Sequence, residues 1–79
     1  MSDVVMKLTI ELQKGLNPEI ALCFDGEGLD FLLKKLEYLK CNIDHLHLMT
    51  PSWAGVELTE DAIMGSDYMT LNSLRLVRV

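Results

Sequence analysis

Leu29, Leu32, Leu33, Leu36 and Leu39 fall at i, i+3, i+4, i+7 and i+10, which is one stripe of an α-helix. Nowhere else along the 79 residues does an apolar pattern keep that period, so the chain is expected to hold a single helix. Asp25 stands just before it as an N-cap, its carboxylate placed to accept from the first-turn amides. Asp25, Glu27 and Asp30 lie toward the positive end of the macrodipole, and Lys34, Lys35 and Lys40 toward the negative end. Gly26-Glu27-Gly28 after a strand invites comparison with a phosphate-binding turn. The third glycine of a dinucleotide fingerprint is replaced by Phe31, and the three acids would repel phosphate, so that reading is set aside.

Around the helix the period is two. Val4, Met6, Leu8, Ile10 and Leu12 alternate with Lys7, Thr9, Glu11 and Gln13, the pattern of a half-buried strand. Lys14-Gly15-Leu16-Asn17-Pro18 reads as a turn, and Ile20, Leu22 and Phe24 place a second alternating strand with its apolar residues on the core face. A third strand is expected from about Ile43 to Met49, with Leu46 and Leu48 inward. A last one is expected from Asn72 to Val79, with Leu74 and Leu76 inward. Residues 50–67 keep no clear period, although Gly55 to Thr59 suits a short extended piece.

The order is thus β-β-α-β-β: a single α+β domain over residues 1–79, with a four-stranded, mainly antiparallel sheet and one helix packed on one face. Counting chain directions gives the spatial order 2-1-3-4. The leucine stripe would pack on Leu8, Ile10, Leu22, Leu46 and Leu74. The opposite sheet face, with Lys7, Thr9, Glu11, Ala21, Cys23, His45, His47, Met49, Arg75 and Val77, would stay uncovered. Such an open face and open edges favour a two-fold dimer.

Composition removes several function classes. A net charge of −5 argues against nucleic acid, whose phosphates are bound by Lys and Arg clusters, and favours a basic protein partner. No apolar run approaches the ~20 residues of a membrane span. The acidic start Met1-Ser2-Asp3 lacks the pattern of a secretory signal, so a cytoplasmic location is expected. Cys23 and Cys41 flank the helix, about 20 Å apart at ~1.5 Å per residue, too far for an intrachain disulfide and suited to a reducing compartment.

The chemistry-bearing residues gather in one stretch, Asp44 to Leu58, which holds both histidines and the one tryptophan. His45 and His47 project from the same face of a strand. Two imidazoles fall short of a zinc site, and Asp44 points to the other face, so the pair reads as an exposed sheet pair with no metal or other cofactor expected. Neither Ser52 nor Ser73 sits in a nucleophile-elbow context with a base and an orienting group, so no enzyme is expected. Trp53, after Thr50-Pro51-Ser52, is either an indole capping an open end of the core or a binding anchor. Glu57, Glu60, Asp61 and Asp67 make the following loop acidic, which suits either plain solvation or docking of a basic partner.

The run Asp44-His45-Leu46-His47-Leu48-Met49-Thr50-Pro51-Ser52-Trp53-Ala54-Gly55, followed by Glu57-Leu58-Thr59-Glu60, resembles the core of the predicted immunity proteins of family 32 in bacterial polymorphic toxin systems. Phe24-Asp25-Gly26-Glu27-Gly28-Leu29-Asp30-Phe31-Leu32 is similar to that family's strand-to-helix junction, and Asn72-Ser73-Leu74-Arg75-Leu76 to its last strand. Two positions depart from the pattern. Ala54 replaces the first residue of a glycine pair, which implies a backbone there that does not require glycine. Ser73 stands where relatives often carry a further histidine. The resemblance implies a non-catalytic protein that binds and neutralises a toxin, here through His45, His47, Trp53, Glu57, Glu60 and Asp61. The alternative is a homodimeric regulatory or small-ligand module paired through its open sheet face.

Overall fold

Alternation and the glycine-containing turn produce the expected hairpin: β1 (Leu8–Gln13) and β2 (Ile20–Phe24) pair antiparallel, with Leu8 opposite Phe24 and Leu12 opposite Ile20. This computed structural model describes residues 6–79, so Val4 and the Met1-Ser2-Asp3 start lie outside the described residues. Asp25 then caps α1 (Gly26–Cys41), its Oδ1 accepting the Gly28 amide at 2.8 Å. Gly28 has no room for a side chain, since a Cβ there would come within 2.0 Å of the Lys7 carbonyl oxygen of the incoming strand. At the far end of α1, the Arg78 guanidinium donates to the carbonyls of Leu39 and Lys40 at 2.8 and 2.9 Å, pairing two of the helix's last acceptors.

The remaining elements are β3 (His45–Met49), a one-turn 3-10 helix (Pro51–Trp53), β4 (Tyr68–Leu71) and β5 (Ser73–Val77). The class is α+β with one helix and antiparallel strands, but the strands form two sheets and not one of four. One sheet runs β2-β1-β4, and the other is the ribbon β3-β5. The expected order 2-1-3-4 is therefore corrected: the neighbour of β1 is Tyr68–Leu71, and the last strand pairs with β3 without a direct partner in β1. β3 also starts at His45, leaving Ile43 exposed.

Hydrogen-bond direction explains the arrangement. β4 and β5 are one path bent at Asn72. On its first half the odd residues turn toward β1, as Asp67 does in accepting from the Lys14 amide. On the second half the even residues turn toward β3, with Asn72 accepting from Thr50 and Arg78 donating to Asp44. The last segment thus lies between β1 and β3. Residues 58 and 59 bridge the outer edge of β3 and β1: Leu58 donates to the Met49 carbonyl at 3.1 Å and Thr59 to that of Leu8 at 2.8 Å. This main-chain circuit encloses Leu8, Ile10, Leu48 and Leu58, and Leu32 of α1 closes the cluster.

The helix touches this cluster along its centre only. Leu32 and Leu39 are buried, whereas Leu29, Leu33 and Leu36 are 37–45% exposed, a correction to the expectation that the whole stripe is covered. On the sheet, Ile20, Leu22 and Phe24 share the helix-side face with Leu8 and Ile10 yet are likewise exposed; Leu46 and Leu74 are partly buried. The physical reason is the bend at Asn72. With the strands divided between two sheets, α1 meets the buried cluster through Leu32 and the end of β5 through Leu39 and Arg78, and Leu29, Leu33 and Leu36 reach water. We expect Leu32→Ala to cost ~2–5 kcal/mol, as for a buried leucine, and Leu36→Ala under ~1 kcal/mol because its side chain already meets water. Urea denaturation of both variants checks this, and equal losses would contradict the seating of the helix.

Candidate functional site

The β3-β5 ribbon has two faces. Leu46 opposite Leu76 and Leu48 opposite Leu74 point to the core. The other face carries the pairs His45–Val77, His47–Arg75 and Met49–Ser73. His45 and His47 are exposed, and their rings meet edge to face with centroids 5.1 Å apart. Ser73, where the resembling family often carries histidine, lies on this same face. Asp44 is already engaged: its Oδ1 accepts the His45 amide at 2.7 Å and its Oδ2 the Tyr38 hydroxyl at 2.8 Å. Those two donors hold its carboxyl below the usual range, and Asp44 in turn pushes the Tyr38 phenol up. Nδ1 of His45 lies 3.8 Å from Asp44 Oδ1. Among the described residues, no group of three or more His, Cys, Asp or Glu side chains is placed to hold a metal ion.

The other face of the first sheet is not the continuous open surface expected. Thr9 and Glu11 are fully buried, because residues 59–67 fold across them. The Glu11 carboxylate accepts the Thr9 hydroxyl at 2.6 Å, the Ile63 amide at 3.2 Å and the Met64 amide at 3.1 Å. Burial pushes this carboxyl up, but the donors outweigh it and hold the group below its ordinary value of 4.5. Cys23, across from Thr9 in the hairpin, has its thiol raised by burial and by the Glu11 charge; both cysteines are free. Of the expected face, Lys7 and the ribbon half, with His45, His47, Arg75 and Val77, remain exposed.

Trp53 sits on a turn built by Thr50. The buried Thr50 donates its hydroxyl to Asn72 Oδ1 at 2.8 Å and its amide to the Asn72 carbonyl at 3.0 Å. Its own carbonyl accepts the amides of Trp53 and Gly55, each at 2.9 Å. Ala54 follows at φ 63°, ψ 22°, in the left-handed region. Glycine is thus not required at position 54 but would be favoured there, and alanine carries a cost of about 1 kcal/mol. The turn leaves the Trp53 side chain 57% exposed, so the indole is not a plug of the core.

The acidic residues divide by role. Glu57 is part of the scaffold, its Oε1 accepting the Met49 amide at 3.0 Å on the outer side of β3. Glu60 accepts the Ser52 hydroxyl, which brings its carboxylate to the tryptophan turn. Asp61 is exposed. Trp53 and Glu60 are therefore brought together, whereas His45 lies at the opposite end of β3, about 13 Å along the strand from Met49 at ~3.3 Å per residue. Sequence reasoning missed Glu11, Thr50 and Asn72 as organisers of this region. Only Glu11 left a signal, a carboxylate at an alternating strand position with threonine two residues before it.

Comparison of the chain with protein-family models, with curated proteins and with solved structures finds no match in any of the three. No helix among the described residues is long and apolar enough to cross a membrane.

Proposed function

We propose that this chain is a bacterial immunity protein, a non-catalytic binding protein that neutralises a cognate toxin with a basic surface in the cytoplasm. The observation that carries the reading is the tryptophan turn. Its main chain is pinned by Thr50 and Asn72, its indole is mostly in solvent, and Glu60 is tied to it through Ser52, with the exposed Asp61 next in the chain. A rigid aromatic anchor loses little entropy on binding. Acids around it, on a chain of net charge −5, speed encounter with a basic partner. The open ribbon face with His45 and His47 extends the surface. Family resemblance along Asp44–Glu60 supplies the identity of the partner class.

The test is capture of the toxin from the native cell by a tagged copy, followed by kinetics on the purified pair. Trp53→Ala is expected to speed dissociation about 30-fold, near 2 kcal/mol, while the melting temperature stays put. Charge reversal is confined to Glu60→Lys with Asp61→Lys, since Glu57 is tied into the fold. This pair should slow association at low salt and converge on the parent as salt screens the charges. A toxin that binds both variants as the parent does would remove the site from this loop.

A further inference from the structure

We propose that β2 is a dimerisation edge, through which two copies of this chain pair antiparallel about a two-fold axis at Leu22. This is independent of the toxin-binding reading, which uses the opposite end of the molecule's strand order. β2 pairs with β1 alone. Its odd residues face β1, as shown by Glu19 accepting from Gln13 and Asp25 donating to Lys7, so the main-chain groups of Ile20, Leu22 and Phe24 point to the outer edge. The same three residues carry exposed apolar side chains, at 64, 40 and 44%. Natural edges are normally blunted by a lysine, an inward charge, a proline or a bulge. The strand Ile20-Ala21-Leu22-Cys23-Phe24 has none of these.

What fits such an edge is its own copy. β2 has five residues with Leu22 at the centre, so a two-fold axis there sets Leu22 against its counterpart and Ile20 against Phe24. Every pair of outward-facing residues then exchanges two hydrogen bonds, about six in all, and each apolar side chain meets another. The result is a continuous sheet of order β4-β1-β2-β2-β1-β4. On the helix side, the exposed Leu29 and Leu33 lie on the same layer as these side chains, because α1 packs on the face of Leu8 and Ile10. A standard interface takes ~800 Å² from each partner, and Ile20, Leu22, Phe24, Leu29 and Leu33, each 37–64% exposed, supply its apolar centre. The open edge of β3, by contrast, carries imidazoles and is closed at Met49 by Glu57 and Leu58.

Sedimentation velocity from about 5 to 200 µM tests the proposal. The parent should run at twice the mass of its 8.9 kDa chain. Leu22→Lys, which sets two ammonium groups face to face at the axis, should raise the dissociation constant at least ~100-fold. Its side chain already reaches water, and an unchanged circular dichroism spectrum will show that the fold survives. Ala21→Cys gives a second readout. The same register places position 21 against Cys23 of the other copy, in a close non-hydrogen-bonded pair within disulfide reach. Mild oxidation should then yield a covalent dimer, confirmed by a mass-mapped peptide joining the two positions. A parent that stays monomeric throughout, a dimer indifferent to Leu22→Lys, or a dimer that never cross-links through Ala21→Cys would each overturn the proposal.

Discussion

Gly55→Ala is expected to unfold the protein or bring it close to unfolding. Gly55 has the Met49 main chain directly above it: an added Cβ would meet the Met49 carbonyl oxygen at 2.3 Å and its carbonyl carbon at 2.6 Å. The Met49 carbonyl oxygen also accepts the Leu58 amide, so moving this main chain would break the circuit around Leu48 and Leu58. A main-chain clash inside a packed region belongs with the rare substitutions that cost ~4 kcal/mol or more. A domain of 79 residues holds roughly 4–12 kcal/mol at the usual stability per residue. Gly26→Ala is the control, because nothing lies within 4 Å of its would-be Cβ, and it should change stability by under ~0.5 kcal/mol. Chemical denaturation of the two variants decides. A Gly55→Ala protein within ~1 kcal/mol of the parent would show that Met49 and the turn can separate freely.

The second large effect is expected at Glu11. Truncation by Glu11→Ala strips partners from the Thr9 hydroxyl and from the Ile63 and Met64 amides, and opens a cavity in a fully buried position. A loss of ~3–4 kcal/mol follows from the unpaired groups and the cavity together. The effect should be largest at residues 59–67, where amide exchange should rise at Ile63 and Met64. Glu11→Gln keeps an acceptor for the two amides and can donate to Thr9, so its cost should stay near ~1–2 kcal/mol. The pH dependence has a definite sign. The folded carboxyl is held below 4.5, so its stabilising contribution is complete above that pH and is lost as pH falls through the lowered folded value. The acid limb of the parent's stability curve should therefore be steeper than that of Glu11→Gln below about pH 4.5. Identical acid limbs would mean the donors do not favour the charged form.

Both effects depend on residues 50–67, which keep no clear period, and this division runs through the whole molecule. The helix, its Asp25 cap, the hairpin and the inward leucines of the ribbon are set by near neighbours in the chain. Periods of 3.6 and 2, a capping carboxylate and a turn with glycine and proline are local properties that the sequence displays directly. His45 and His47 on one exposed face follow from the same period. The four residues of β4 alternate as well, with Met69 and Leu71 against Tyr68 and Thr70, but so short a run is legible only once β1 is seen beside it.

Tertiary structure alone decided where the strands meet. Asn72 interrupts one path into two strands, and its partner is Thr50, 22 residues earlier. Glu11 is tied to amides 52 and 53 residues away. No local period encodes contacts of that span, because a hydrogen bond between distant segments constrains position without constraining the residues between. The same bend splits the expected sheet; Leu29, Leu33, Leu36 and the apolar residues of β2 stay partly in solvent, and residues 59–67 bury a carboxylate that composition would place at the surface. It also separates the roles of the acids: Glu57 serves the fold and Glu60 the tryptophan turn. Their side chains are chemically alike, and only the presence of the Met49 amide or the Ser52 hydroxyl within reach distinguishes them.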